Sequence, residues 1–201
     1  MRNASFLLSP ANLSGKRGRI LLSPSADFEL ARALRSPRGA TLSDTFCFVS
    51  GLYFRGKASY ARRFGSAPSG QSVLVMTPGG GLCALDEMLT KPRLEAWQRV
   101  GVSEGNLHFT APLQRHASEL LDASDPSARF VLLGSVATKK YVVPLLEVFG
   151  ERLLYPRRFA GLGDMARGSL LLRAVAEGQE LDYEPVTAVV RAGAFASRPD
   201  S

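Results

Sequence analysis

The 201-residue chain is poor in the groups that build metal and redox centres, with two cysteines, Cys47 and Cys83, and two histidines, His108 and His116. The cysteines form no C-x-x-C pair, which argues against a disulfide framework and a zinc site, and both read as reduced and buried. The histidines stand eight residues apart with no cysteine or acidic cluster beside them. They read as structural or surface residues, and no metal or other cofactor is expected. No G-x-S-x-G, P-loop, G-x-G-x-x-G or H-E-x-x-H motif occurs, so the commonest short signatures of catalysis are absent. No apolar run approaches a membrane span, and Ala4–Leu8 is too short for a signal core and is cut off by Pro10, which predicts a cytoplasmic protein.

Acidic residues are also scarce relative to basic ones, 18 against 25, for a net charge of +7. A small domain with a pI near 9.8 favours a polyanionic partner. Only five of the basic residues are Lys, and arginine is the better phosphate fork. Hydrophobic residues make up 45%, enough for a proper core, and the length fits a single domain over 1–186. The Ala/Ser/Arg/Pro-rich stretch 187–201 reads as a disordered tail.

The chain is organised around Phe130-Val131-Leu132-Leu133-Gly134-Ser135. Four apolar residues read as a strand buried on both faces, and Gly-Ser turns the chain into a helix opening near Thr138. Such a turn leaves free backbone N–H groups at the carboxyl end of a sheet, where α/β proteins bind ligands. Val73–Thr77, followed by Pro78-Gly79-Gly80-Gly81, looks like a second copy, its glycines carrying no side chain to block a ligand. Together the two loops predict one crevice, with Gly79, Gly80, Gly81, Gly134, Ser135 and Thr138 as ligand contacts. Further strands are expected near Leu7 and Leu154, with an edge strand over Leu181–Val186. Amphipathic helices are expected over Ala26–Arg35 (capped by Ser25), Lys91–Val100, Leu113–Leu121, Thr138–Phe149 and after Asp164. The fold class is therefore α/β, a central mixed sheet with helices packed around it.

Three basic segments stand out. Lys16-Arg17-Gly18-Arg19 reads as a flexible basic loop. Tyr53-Phe54-Arg55-Gly56-Lys57 and Pro156-Arg157-Arg158-Phe159 interleave cations with aromatic rings, as base stacking plus phosphate pairing requires, although a core edge with snorkelling cations has the same pattern. With Lys139 and Lys140, these segments make Lys16, Arg17, Arg19, Arg55, Lys57, Arg157 and Arg158 candidate phosphate contacts. The Gly65–Gly70 segment reads as a loop and the best candidate for mobility. Asp86 is placed near the crevice by the run Leu82–Glu87. Asp164 is a natural helix cap and a second candidate general base.

Four segments carry a resemblance: Leu8-Ser9-Pro10-Ala11 ending a strand, Gly81-Leu82 with Leu85-Asp86, Ser135 with Tyr141, and Ala166-Arg167-Gly168 with Arg173. In this order they resemble the peroxide-stress YaaA-like family of bacterial proteins. The resemblance implies a compact α/β fold, DNA binding and protection of DNA under oxidative stress. Two functions are thus expected from different classes. One is a nucleic-acid-binding protein. The other is an enzyme acting on a nucleobase or nucleotide, for instance at an N-glycosidic bond, with Asp86 or Asp164 as base, Tyr141 stacking or donating a proton, and Ser135 and Arg167 holding the ligand.

Overall fold

The computed structural model describes residues 3–67, 70 and 72–191. In chain order the strands are Ala4–Leu8 (β1), Ala40–Thr41 (β2), Val73–Thr77 (β3), Gly81–Ala84 (β4), Met88–Leu89 (β5), Arg129–Leu133 (β6), Leu153–Pro156 (β7) and Tyr183–Pro185 (β8). The helices are Lys16–Leu22 (α1), Glu29–Arg35 (α2), Leu42–Ser50 (α3), Leu52–Phe64 (α4), Lys91–Val100 (α5), Leu107–Asp122 (α6), Lys139–Phe149 (α7), Asp164–Glu177 (α8) and Val186–Arg191 (α9). Six strands form one mixed sheet in the order β4-β3-β1-β6-β7-β8, and β2 and β5 form a small antiparallel ladder.

The four inner strands are parallel, with Leu8 of β1 opposite both Val75 of β3 and Leu133 of β6. All five residues of β1 are buried, as are Phe130–Leu133 of β6, which is why these strands read as continuous apolar runs. The chain leaves β1 for β3 on one side, then crosses back over β1 to β6 and continues outward to β7. That reversal puts the topological switch point between the carboxyl ends of β1 and β6. α4 packs on β1 and β3, α6 on β3 and β4 and against α7, α7 on β7, and α8 packs on α4. Among the described residues, no helix is long and apolar enough to cross a membrane.

Several local expectations change. Lys16–Arg19 is not a loop but the first turn of α1. Gly18 lets that turn lie on the Leu13 carbonyl, which a Cβ would meet at 2.0 Å, and Leu21 and Leu22 bury the inner face. α2 starts at Glu29 with Phe28 in the N-cap position, because the Ser25 hydroxyl pairs with that of Ser23 instead. Phe46–Val49, an apolar run whose sequence fits helix and strand alike, is helical, within α3. α6 begins six residues earlier than its apolar stripe, at Leu107, capped by Asn106, whose side chain accepts from the His108 N–H at 3.1 Å, and it accommodates Pro112. α7, by contrast, opens at Lys139 behind Thr138 as expected, with Pro144 inside it. α8 is preceded by Gly163, so Asp164 is its first residue and not its cap. In the Gly65–Gly70 loop, Ser66 pairs with Ala4 through two backbone hydrogen bonds, while Pro68 and Ser69 lie outside the described residues. Of the expected disordered tail, residues up to Arg191 are helical and 192–201 lie outside the described residues. Cys83 is buried, whereas Cys47 is half-buried on α3, and both are free thiols.

Candidate functional site

A cavity of about 390 Å³ lies at the switch point, within the range of small-molecule sites. Its floor is Ser9-Pro10-Ala11, leaving β1, and Ser135, leaving β6. One wall is the loop Asn12–Ser14 with Trp97 and Gln98 of α5, tied together by the Gln98 amide donating to the Leu13 carbonyl at 3.0 Å. Thr138, Lys140 and Tyr141 from the start of α7 form another, and Ser50, Tyr53 and Asp164, with Pro78, Gly101 and Val102, complete the lining. Ser135, Thr138, Lys140, Tyr141 and Asp164 therefore meet where the sequence places a crevice.

Two lining hydroxyls are orphaned. The Tyr53 Oη and Thr138 Oγ1 atoms are buried and have no hydrogen-bond partner. A tyrosine only 5% exposed with an unbonded hydroxyl is uncommon in a folded protein and calls for an explanation. Burial raises the Tyr53 phenol far above its usual range, against the smaller opposing pulls of the Arg167 charge and of its guanidinium, which approaches the phenol oxygen without reaching hydrogen-bond geometry, so the phenol is present as a donor. Thr138 is the N-cap residue of α7, yet its side chain makes no capping bond, and the first turn carries no acidic residue. The N–H groups of that turn are consequently free of a side-chain acceptor at the cavity edge. Tyr141, buried and edge-on to Phe109, has its phenol pushed up to about 12 by desolvation and, secondarily, by Asp164.

The wall beneath Tyr53 exists because two helices touch. Gly56 of α4 and Gly168 of α8 face each other so closely that a Cβ on Gly56 would meet the Gly168 carbonyl at 2.8 Å. A Cβ on Gly168 would come within 3.0 Å of Tyr53 Cα. This approach sets Tyr53 and Lys57 of α4 against Asp164 and Arg167 of α8. Arg167 is buried, donates to the Phe159 carbonyl through Nε at 3.3 Å and Nη2 at 3.2 Å, and reaches Asp164 at 3.5 Å. Asp164, whose side chain is 70% exposed, is the carboxylate at the pocket mouth.

Lys57, read as a surface phosphate contact, is fully buried. Its Nζ lies 2.6 Å from the Ser9 carbonyl oxygen and 2.9 Å from Ser9 Oγ, above the Tyr53 ring at 4.5 Å. Desolvation lowers its pKa to about 7, outweighing the upward pull of Asp164 and Cys47, and Arg167 adds to the lowering.

Other expectations are corrected. Asp86 is exposed and lies off the opposite end of the sheet, because β4 runs antiparallel to β3 and carries the chain from Gly81, beside Thr77, back past Ala84. The glycine turn 79–81 is occupied by protein. A Cβ on Gly80 would strike Trp97 at 2.8 Å, and one on Gly81 would strike His116 Nδ1 at 2.6 Å. Pro78 is the part of that turn that lines the cavity. Gly134, by contrast, abuts Ser9, whose Cβ is 3.0 Å from where a Gly134 side chain would begin. The interleaved aromatics are not stacking platforms, since Tyr53, Phe54, Tyr60 and Phe159 are core residues. Their neighbouring cations Arg55, Arg157 and Arg158 extend outward, the snorkelling arrangement.

Of the remaining cations, Arg17 donates to the Phe48 carbonyl at 3.3 Å, Lys139 pairs with Glu104 at 3.9 Å and Arg157 with Glu184 at 3.9 Å. Ser9, Tyr53 and the buried role of Lys57 were missed from sequence. The available signal was Gly56 between Tyr53 and Lys57, a helical glycine marking a close crossing. Among the described residues no group of His, Cys, Asp and Glu could hold a metal ion. No family model matches the chain, and neither a curated protein nor a solved structure matches it.

Proposed function

We propose that the protein binds a nucleotide in the switch-point pocket, with its phosphate at the N-terminus of α7. The observation that carries this reading is the pair of orphaned hydroxyls, Tyr53 Oη and Thr138 Oγ1, at one cavity edged by the uncapped first turn of an 11-residue helix. An anion there accepts hydrogen bonds from Thr138 and the backbone N–H groups, and Lys140 supplies countercharge. Arg167 pairs with the carboxylate of Asp164, which leaves the Lys140 charge to favour an anionic ligand in the pocket. The polar Asn12, Ser14 and Ser50 remain for ribose or base edges, and Trp97 offers apolar surface.

A second reading extends the first. Lys16 and Arg17 follow β1, Lys139 follows β6, and Arg157 and Arg158 follow β7, so exposed cations succeed three parallel strands, two of which, β1 and β6, end at the pocket. That placement favours a nucleic acid whose phosphates run along the rim while one nucleotide enters the pocket. It is also the form that the DNA protection implied by the YaaA-like resemblance would take. Cleavage of an N-glycosidic bond would fall to Asp164 alone, since Asp86 is remote. The solvated, Arg167-paired Asp164 is better suited to a fixed charge at the mouth.

Isothermal titration with nucleosides, their monophosphates and short oligonucleotides tests both readings. Monophosphates should bind and the matching nucleosides should bind far more weakly. Tyr53→Phe and Thr138→Val should each weaken binding by about 1–2 kcal/mol. Equal affinity for nucleoside and nucleotide, or none for either, would overturn the assignment.

A further inference from the structure

We propose that Ser9 and Lys57 form a nucleophile–base pair that attacks a phosphoryl centre of the ligand in the pocket. The inference rests on the nucleotide reading and adds to it a reaction. Ser9 is the first residue beyond β1, on the pocket floor, and no charged residue other than Lys57 touches its hydroxyl among the described residues. Lys57 is sealed behind it, excluded from the cavity, so the amine can meet a ligand only through the Ser9 Oγ atom.

The geometry assigns each atom of the amine a task. In the neutral form one N–H donates to the Ser9 carbonyl at 2.6 Å, which fixes Nζ, and the lone pair is left for the Ser9 hydroxyl at 2.9 Å. The hydroxyl then donates to nitrogen, the alignment a general base requires. A surface lysine would be protonated and could only donate. Here full burial holds the amine near neutrality at physiological pH, a state that the charge of Arg167 reinforces and those of Asp164 and Cys47 oppose. The Tyr53 and Phe54 rings, at 4.5 and 5.0 Å, are the remaining faces against the amine. Gly134 keeps the nucleophile open, because a side chain there would begin 3.3 Å from Ser9 Oγ.

In the reaction the Ser9 proton passes to Lys57 as the Oγ–P bond forms. The P–O bond to the leaving group breaks on the side opposite Ser9, where that oxygen takes a proton from solvent at the pocket mouth, while the Lys57 ammonium keeps the proton it took from Ser9. Water then attacks the phosphoserine from the open side and gives its proton to solvent, and the departing Ser9 Oγ takes its proton back from the Lys57 ammonium, which restores both residues. The orphaned Tyr53 and Thr138 hydroxyls are available to donate to the phosphoryl oxygens as charge builds on them.

A fluorophosphonate probe tests the pair without knowledge of the natural ligand. Ser9 Oγ displaces fluoride at phosphorus, and the adduct is mapped by mass spectrometry. Wild type should be labelled at Ser9, with a rate that rises with pH through about 7. Ser9→Ala should lose the label, and Lys57→Met should slow it by about 100-fold or more, within the usual range of general-base effects. Labelling of Ser9 that is unchanged in Lys57→Met, or no label on wild-type Ser9 between pH 6 and 9, would overturn the proposal. If Lys57→Met fails to fold, the wild-type pH profile decides alone, a flat profile counting against the pair. Monophosphate titration of the same samples separates the two claims. Binding without labelling removes the reaction only, and labelling without nucleotide binding removes the ligand assignment only.

Discussion

The two glycine turns at the carboxyl ends of β3 and β6 look alike in sequence and serve opposite purposes. After β6, Gly134 yields space beside Ser9 and the chain opens into Ser135, Thr138 and the start of α7, all facing the cavity. After β3, the space above Gly80 and Gly81 is taken by Trp97, His116 and the Pro112 carbonyl, and His116 accepts from the Leu82 N–H at 3.2 Å. The next element of the chain makes the difference. β3 folds straight back into an antiparallel hairpin whose outer face must be covered by α6, while β6 feeds a helix whose N-terminus remains at the sheet edge. A glycine turn marks a ligand site only when nothing in the protein needs its missing side chain.

The largest effect should separate these turns. Gly81 has φ near 68°, and an alanine there would also collide with His116 and Pro112, so Gly81→Ala should cost about 2–4 kcal/mol in urea unfolding. Gly134→Ala has no such backbone strain and should cost about 1 kcal/mol, yet it should weaken nucleotide binding far more than Gly81→Ala does in protein that remains folded. Equal losses of stability with equal losses of affinity would erase the distinction.

Next in size is a pH effect confined to the pocket side. Lys57 titrates near 7 when folded and near 10.5 when unfolded, so between those values the unfolded chain binds more protons and wild-type stability rises with pH. Below 7 the folded protein carries a buried ammonium in full. Lys57→Met removes that dependence. Its melting temperature relative to wild type should be most favourable near pH 6–7 and should fall back toward pH 10. A difference independent of pH would show that the amine is not desolvated.

The two aspartates sharpen the contrast further. Asp164→Asn removes negative charge from the pocket mouth and should tighten monophosphate binding by about two- to fivefold at low salt, whereas Asp86→Asn should leave it unchanged. Smallest is the rim. Arg158→Ala should leave monophosphate affinity unaltered and reduce the salt dependence of oligonucleotide binding by about one contact or less.

The sheet was legible because β1, β3 and β6 are buried on both faces and so appear as unbroken apolar runs, and because Gly134 punctuates the chain as such turns usually do. Much of the pocket was legible too, in Ser135, Thr138, Tyr141 and Asp164. Lys57 and Asp86 were misplaced for one shared reason. Charge in a sequence reads as surface, and only tertiary contacts reveal that Gly56 and Gly168 draw two helices together over Lys57, or that β4 reverses and carries Asp86 away. The basic–aromatic pattern misled likewise, since rings on a helix's inner face and cations on its outer face alternate much as a nucleic-acid surface does.

The central claim is that the pocket at the ends of β1 and β6, and not the glycine turn after β3, receives the ligand. A titration of ¹⁵N-labelled protein with a nucleoside monophosphate tests it most directly. The amides of Ser9–Ser14 and Ser135–Tyr141 should shift together, while Gly79–Gly81 and Asp86 stay in place. Shifts concentrated at Gly79–Gly81, or none in either loop at saturating nucleotide, would contradict it.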